Sequence, residues 1–216
     1  MLKIAASLVL SALAGSAGAV TLLTASLADA NENPPTSPTT TTGAPRPASF
    51  GTASFVINDA MTAMTFTATI FNIDVTGSQT PDSNDNLINA HIHAGPAVTP
   101  TMNGPVVWGF FGSPFNDNNP NDAVVTPLAT GVGGTFSGKW DLNEGNATTF
   151  AAQLANILAG RSYINFHTNQ FTGGEIRGNL VVAVPEPETW ALLLAGLAVV
   201  SGVGRQRARR PLPAAA

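Results

Sequence analysis

Apolar and polar residues alternate with period two along most of the middle of the chain. In Met64-Thr65-Phe66-Thr67-Ala68-Thr69-Ile70 four apolar side chains fall on one side and three threonines on the other. That is the signature of a half-buried strand, because successive side chains point to opposite faces. The same reading predicts strands over Thr21–Ala28, Phe50–Ile57, Val106–Phe111, Thr135–Asp141, Ser162–Thr168 and Glu175–Val182, and one around Asn89–Ala94. Asn58-Asp59-Ala60 and Thr172-Gly173-Gly174 supply the turns of two hairpins. Helical spacing occurs once, in Thr148–Leu158, where Phe150, Leu154, Ile157 and Leu158 share a face, a Thr or Asn caps the start and Gly160 suits the stop. These elements predict an all-β fold, an antiparallel β-sandwich or barrel with one short crossover helix.

Between the strands the polar stretches read as loops. Thr36–Pro47 is rich in Thr and Pro, has no periodicity and is expected to be a surface loop. Asp74–Asn86 carries carboxylates suited to calcium, yet it lacks the EF-hand glycine and has His93 where a bidentate Glu would stand, so it reads as a solvated turn. Ser113–Asp122 is a second polar loop.

The two ends have a different chemistry. Lys3, the apolar run Ile4–Leu13 and the small residues Ala17-Gly18-Ala19 make residues 1–19 a signal peptide, with cleavage expected after Ala19. At the other end Pro185, Glu186 and Pro187 precede an apolar run from Trp190 to Gly204 and then Arg205, Arg207, Arg209 and Arg210. As a helix this run is about 22 Å long, short of the roughly 30 Å of a bilayer core, with its arginines on the cytoplasmic side. A Pro-Glu-Pro tripeptide, one hydrophobic helix and a basic cluster, in that order, resemble the PEP-CTERM sorting tail of Gram-negative bacteria. The resemblance implies transient anchoring in the inner membrane, an exosortase-type processing enzyme as partner, and a final place on the outer surface or in extracellular matrix. The chain thus divides into residues 1–19, a domain over 20–183 and a tail over 184–216.

Without its ends, the chain between Val20 and Val184 has four basic residues against eleven carboxylates, a net charge of −7. Nucleic acid is excluded as a partner, since phosphate attraction needs clustered Lys and Arg. No cysteine is present, so an exported domain relies on its core or on a metal, and a Cys-His catalytic pair is ruled out. Neither is there a Gly-x-Ser-x-Gly motif.

All of the candidate chemistry lies with three histidines. In Ile88–Ala94, Ile88, Ala90 and Ile92 take the apolar side and Asn89, His91 and His93 the other. In Tyr163–Thr168, Ile164 and Phe166 oppose Tyr163, Asn165 and His167. Every histidine is therefore expected on the polar face opposite the core. Residues i and i+2 of a strand stand roughly 6 to 7 Å apart at the backbone, so two imidazoles can converge on one ion, and imidazole suits copper or zinc. The expected metal ligands are His91, His93 and His167, with Asn165 or Glu175 orienting a ligand and Arg177 attracting an anion. The alternative is that the histidines only hydrogen-bond neighbouring strands, while Glu175 and Arg177 form a surface ion pair worth up to about 1 kcal/mol.

Four segments recur in the order seen in one domain family: Leu27–Pro35, Ala90-His91-Ile92-His93-Ala94-Gly95-Pro96-Ala97, Asn103-Gly104-Pro105-Val106-Val107, and Tyr163–Thr168 followed by Gly173–Gly178. Together they resemble the CHRD domain, named for chordin and widespread in bacterial secreted proteins, over roughly Leu22 to Val182; the Thr- and Pro-rich stretch before Phe50 departs from it. The family has no generally assigned activity. A His-x-His strand with a later strand histidine is also similar to copper/zinc superoxide dismutase, which would make the three histidines copper ligands. That likeness lacks a bridging histidine between His93 and His167 and any cysteine pair. The function expected is a non-catalytic, surface-displayed or matrix-associated binding domain with an extracellular polymer or protein partner. The alternative expectation is a three-histidine copper or zinc domain with dismutase-like redox activity.

Overall fold

The computed structural model describes residues 20–183 and 193–201. The expected signal peptide, the Pro185-Glu186-Pro187 motif, Trp190 and the arginine cluster lie outside them. The described residues fall into two units, divided between residues 181 and 182. In the second, residues 193–201 are helical. Nine residues rise about 14 Å, and no helix among the described residues is long and apolar enough to cross a membrane. Of the helix expected from Trp190 to Gly204, only residues 193–201 lie among the described residues, and these are helical.

Ten strands are described: β1 Thr21–Ala28, β2 Phe50–Ile57, β3 Ala63–Phe71, β4 Leu87–Ala94, β5 Val106–Phe111, β6 Val124–Pro127, β7 Gly133–Asp141, β8 Ser162–Thr168, β9 Ile176–Asn179 and β10 Val181–Val182, with the helix α1, Phe150–Leu158, between β7 and β8. The protein is all-β and antiparallel, as its alternation predicts. Its strands form one sheet in the order β5-β4-β8-β9-β1-β2-β3-β7-β6, with β10 beside β1, curled into a half-barrel.

Curling follows from where the large apolar residues sit. Leu23, Ala25 and Leu27 of β1, Phe55 and Ile57 of β2, and Met64, Phe66 and Ile70 of β3 line the inner face and are buried. β5, at one end of the sheet, folds over so that Trp108 stacks on Trp140 of β7 at 5.6 Å and Phe110 packs on Phe66 of β3 at 4.6 Å. Offset and edge-to-face pairs of this kind add about 0.5–1.5 kcal/mol each beyond their buried area. Helix α1 starts at Thr149, whose hydroxyl accepts the Ala152 N–H, and its Phe150 closes the end of the core against Trp140.

Two local readings are revised. The last predicted strand breaks at Leu180, whose amide reaches back to the Ser162 carbonyl and separates β9 from β10. β6 is a strand with no alternation to announce it, a mostly exposed edge ending in Pro127.

A larger revision concerns the polar side of β4, β8 and β9. Loops cover it, and all seven residues of β8 are buried on both faces. The stretch Thr36–Pro47 is the surface loop expected, with Ser37, residues 41–45 and Pro47 exposed, and it is also one of these covers. Thr36 Oγ1 donates to the Glu175 carbonyl at 2.8 Å, and Arg46 reaches the Glu175 carboxylate at 2.8 Å. Side-chain exposure is 5% for Arg46 and nil for Glu175, so the surface pair expected between Glu175 and Arg177 is replaced by a buried pair with a different cation. Ser49 and Thr168 hydroxyls complete the carboxylate's shell.

An Arg46→Met variant leaves Glu175 without its cation and is expected to lose about 3–5 kcal/mol in urea unfolding. A mere surface loop would give a change within about 0.5 kcal/mol.

Candidate metal centre

The histidines meet because β4 and β8 are hydrogen-bonded neighbours in one register. His91 lies opposite Asn165, His93 opposite Tyr163, and Asn89 opposite His167. All three rings therefore stand on one face, as the alternation predicts, but that face is covered. His91, His93 and His167 are 3%, 8% and 6% exposed.

Close approach of loops makes this burial possible. Gly109 of β5 is paired with His91, and a Cβ there would lie 3.1 Å from the His91 ring and collide with the Pro114 carbonyl. Gly174, at φ +127°, holds a backbone conformation that favours glycine, and a Cβ on it would strike the Glu32 carboxylate.

Each ring is fixed from outside by a backbone carbonyl. His91 Nε2 donates to Ser113 O at 3.2 Å, His93 Nδ1 to Gly104 O at 2.8 Å and His167 Nδ1 to Thr172 O at 2.9 Å. A carbonyl can only accept, so these nitrogens carry the hydrogens and the opposite nitrogens carry lone pairs. The lone pairs converge. His91 Nδ1 faces His167 Nε2 at 3.1 Å, and His93 Nε2 is buried with no hydrogen-bond partner. One nitrogen from each ring lies within 4.8 Å of the other two. Nitrogens held at 2.1 Å by a tetrahedral ion are roughly 3.4 Å apart, a difference that small ring rotations close.

The surrounding polar groups have roles different from those expected. Asn165 Oδ1 lies 3.0 Å from His167 Nε2, while its amide nitrogen points at Glu32 Oε1, 3.4 Å away. Asn165 thus touches a histidine, but at the nitrogen that faces the cluster and not at the outer N–H it was expected to accept. Glu175 instead serves Arg46, Ser49 and Thr168. Arg177 is fully buried and is not offered to an outside anion. Its guanidinium lies over the Tyr163 ring at 3.6 Å and donates to Asn103 Oδ1 and Thr99 O, pinning the loop that carries Gly104. Tyr163 also stacks on His93 at 4.5 Å. Alternation places Tyr163 on this face but says nothing of its stacking partners. The carbonyls of Gly104, Ser113 and Thr172 carry no side-chain signal, and only the neighbouring Asn103-Gly104-Pro105 and Gly173-Gly174 turns hint at them.

Electrostatics favour neutral rings. Burial pushes His91 down to about 3, with repulsion from His167 and His93 added to it. Burial likewise lowers His93 to about 4, against its bond to Gly104, and lowers His167. Glu32 is pushed up by burial, opposed by the Asn33 amide, Asn165 and Arg177.

The family model of the CHRD domain matches residues 23–180, and the model of the PEP-CTERM protein-sorting motif matches residues 183–210. No curated protein and no solved structure matches the chain.

In metal-free protein the folded state binds fewer protons than the unfolded one between about pH 6.5 and 4, because the folded imidazole pKa values are depressed. The stability contributed by neutral rings is full above about 6.5 and is lost as pH falls through that window. NMR of the metal-free protein is expected to show no ring titration between about pH 5 and 8; a ring titrating near 6.5 would contradict the burial argument.

Proposed function

The chain belongs to the CHRD domain family, and from this premise we propose that its folded part is an exported, non-catalytic binding domain in which His91, His93 and His167 hold one copper or zinc ion. One observation carries the reading: three imidazole lone pairs face each other in a buried space, while every outer nitrogen donates to a backbone carbonyl. Lone pairs at 3.1 Å repel unless a proton or a metal ion lies between them, and imidazoles oriented by outer hydrogen bonds are the usual form of a metal-binding histidine. All three donors are nitrogen, which suits both copper and zinc. Near-complete burial of the rings supports a holding role over turnover, because catalytic sites keep a coordination position open to substrate. The PEP-CTERM motif supports export and sorting by an exosortase-type enzyme. Display on the outer surface or in matrix, where a polymer or protein partner would be met, is the destination that this sorting supports.

Metal analysis and competition titration of the full-length protein are expected to find one equivalent of copper or zinc bound more tightly than about 1 μM. Single His91→Ala, His93→Ala and His167→Ala variants are each expected to weaken it about 100-fold or more, since even removing an outer hydrogen-bond partner costs 10–100-fold. Protein that takes up neither metal below micromolar would sink the proposal.

Sorting has a separate test. Mass spectrometry of the protein from its host is expected to show a C-terminus upstream of Arg205; an intact arginine tail on every molecule would count against processing.

A further inference from the structure

A second cluster of ionisable groups lies at the other end of the sheet. β6 pairs only with Gly134–Ser137 of β7, so the edge of β7 from Gly138 to Asp141 has no strand beside it there. The loop Ser113–Asp122 and its continuation into β6 take that place. Ala123 Cα and Asp117 Oδ2 lie 3.3 and 3.4 Å from where a side chain on Gly138 would begin.

Asp117 has no exposed surface, and neither of its carboxylate oxygens has a hydrogen-bond partner. The amides of Asp122 and Ala123 approach it without meeting hydrogen-bond geometry. Asp122 directs one buried, unpartnered oxygen inward, while its other oxygen lies 3.4 Å from Lys139 Nζ. Glu144, also buried, accepts the amides of Asn118 and Asn119 at 2.9 and 2.7 Å and thereby ties down the centre of the loop. Asp141 shares Lys139 at 3.1 Å. Asp122 and Asp141 thus share Lys139, while Asp117 and Glu144 lie on the buried side of the loop. Burial pushes Asp117 up to about 6, and repulsion from Asp122 and Glu144 adds to it. A buried carboxylate with both oxygens unsatisfied is expensive, and native proteins pair such groups or place them on a metal.

We propose that this loop binds one calcium ion, with the Asp117 carboxylate as its principal ligand and the inward oxygen of Asp122 beside it. The donors are all oxygen, and the loop Asn116-Asp117-Asn118-Asn119-Pro120-Asn121-Asp122 contains no histidine or cysteine to select zinc or copper. Calcium takes six to eight oxygens in flexible geometry, so loop carbonyls, asparagine amides and water can fill the remaining positions. Lys139 neutralises part of the acidic charge and keeps the site weak. A weak site is adequate outside the cell, where modules bind calcium at about 10⁻⁴–10⁻³ M. The proposed ligands are distinct from the histidine cluster on β4 and β8, although the same loop begins at Ser113, whose carbonyl holds His91.

Calorimetric titration of the full-length protein with calcium chloride tests it. One equivalent is expected to bind at about 10⁻⁴–10⁻³ M, and calcium is expected to raise the unfolding temperature. Asp117→Asn is expected to weaken binding at least about 10-fold, since the site loses its central charged ligand. Asp122→Asn, at a side chain one-third exposed, does the same with little risk to folding. His93→Ala, whose ring bonds Gly104 and not this loop, is expected to leave calcium binding unchanged. No uptake by the unaltered protein at about 10 mM calcium, or uptake that both aspartate substitutions leave untouched, would overturn the proposal.

Discussion

Strands β4, β8 and β9 are buried on both faces, and much of the molecule is arranged to make that tolerable. Their inner face is apolar and needs only packing. The other face carries His91, His93, Tyr163, Asn165, His167 and Arg177, and each polar group taken from water there must be repaid with a partner. The partners come from loops. Gly104, Ser113 and Thr172 offer carbonyls to the three imidazoles, and Asn103 and Thr99 accept from Arg177. Loop conformation and site chemistry are therefore one structural problem, solved mostly by backbone carbonyls together with the Asn103 side chain.

Two arginines hold this cover in place by different means. Arg46 brings the Thr- and Pro-rich segment down onto Glu175 in a buried ion pair. Breaking such a pair is more damaging than forming it is stabilising, because the remaining charge is stranded. Arg177 works from within the sheet, over Tyr163 and against the 95–105 loop, so that the carbonyl orienting His93 is itself anchored by the strand next to that of His167. The site's rigidity is thus shared between a salt bridge on one side and a stacked guanidinium on the other, both beyond reach of solvent screening. In a chain without cysteine, this network does the work that cross-links do in many exported domains.

Much of the fold was legible as alternation. Thr21–Ala28, Phe50–Ile57, Val106–Phe111 and Ser162–Thr168 end where their patterns end, because turn residues interrupt both the hydrophobic period and the ladder. The face on which each histidine stands was legible for the same reason. β6 was not, since an exposed edge strand has no buried side to impose a period. Nor was the break at Leu180, where a single amide turns away to a neighbouring strand while the apolar alternation runs on through it. The membrane helix was read from hydropathy, and among the described residues the helical part spans only 193–201.

By itself the sequence determined the strand periods, the helix before β8 with a Thr or Asn cap, the polar side of its strand for each of His91, His93 and His167, and the motifs of a CHRD domain and a PEP-CTERM tail. These depend on residues close along the chain or on the two-residue repeat, and local sterics carry them. Only the tertiary structure decided that β4 and β8 are neighbours, that the polar face is covered, that Glu175 pairs with Arg46, and that Asp117 is sealed with both oxygens unpartnered. Such facts join residues separated by dozens of positions. They follow from how the sheet curls and where its loops fall, which no period in the chain records.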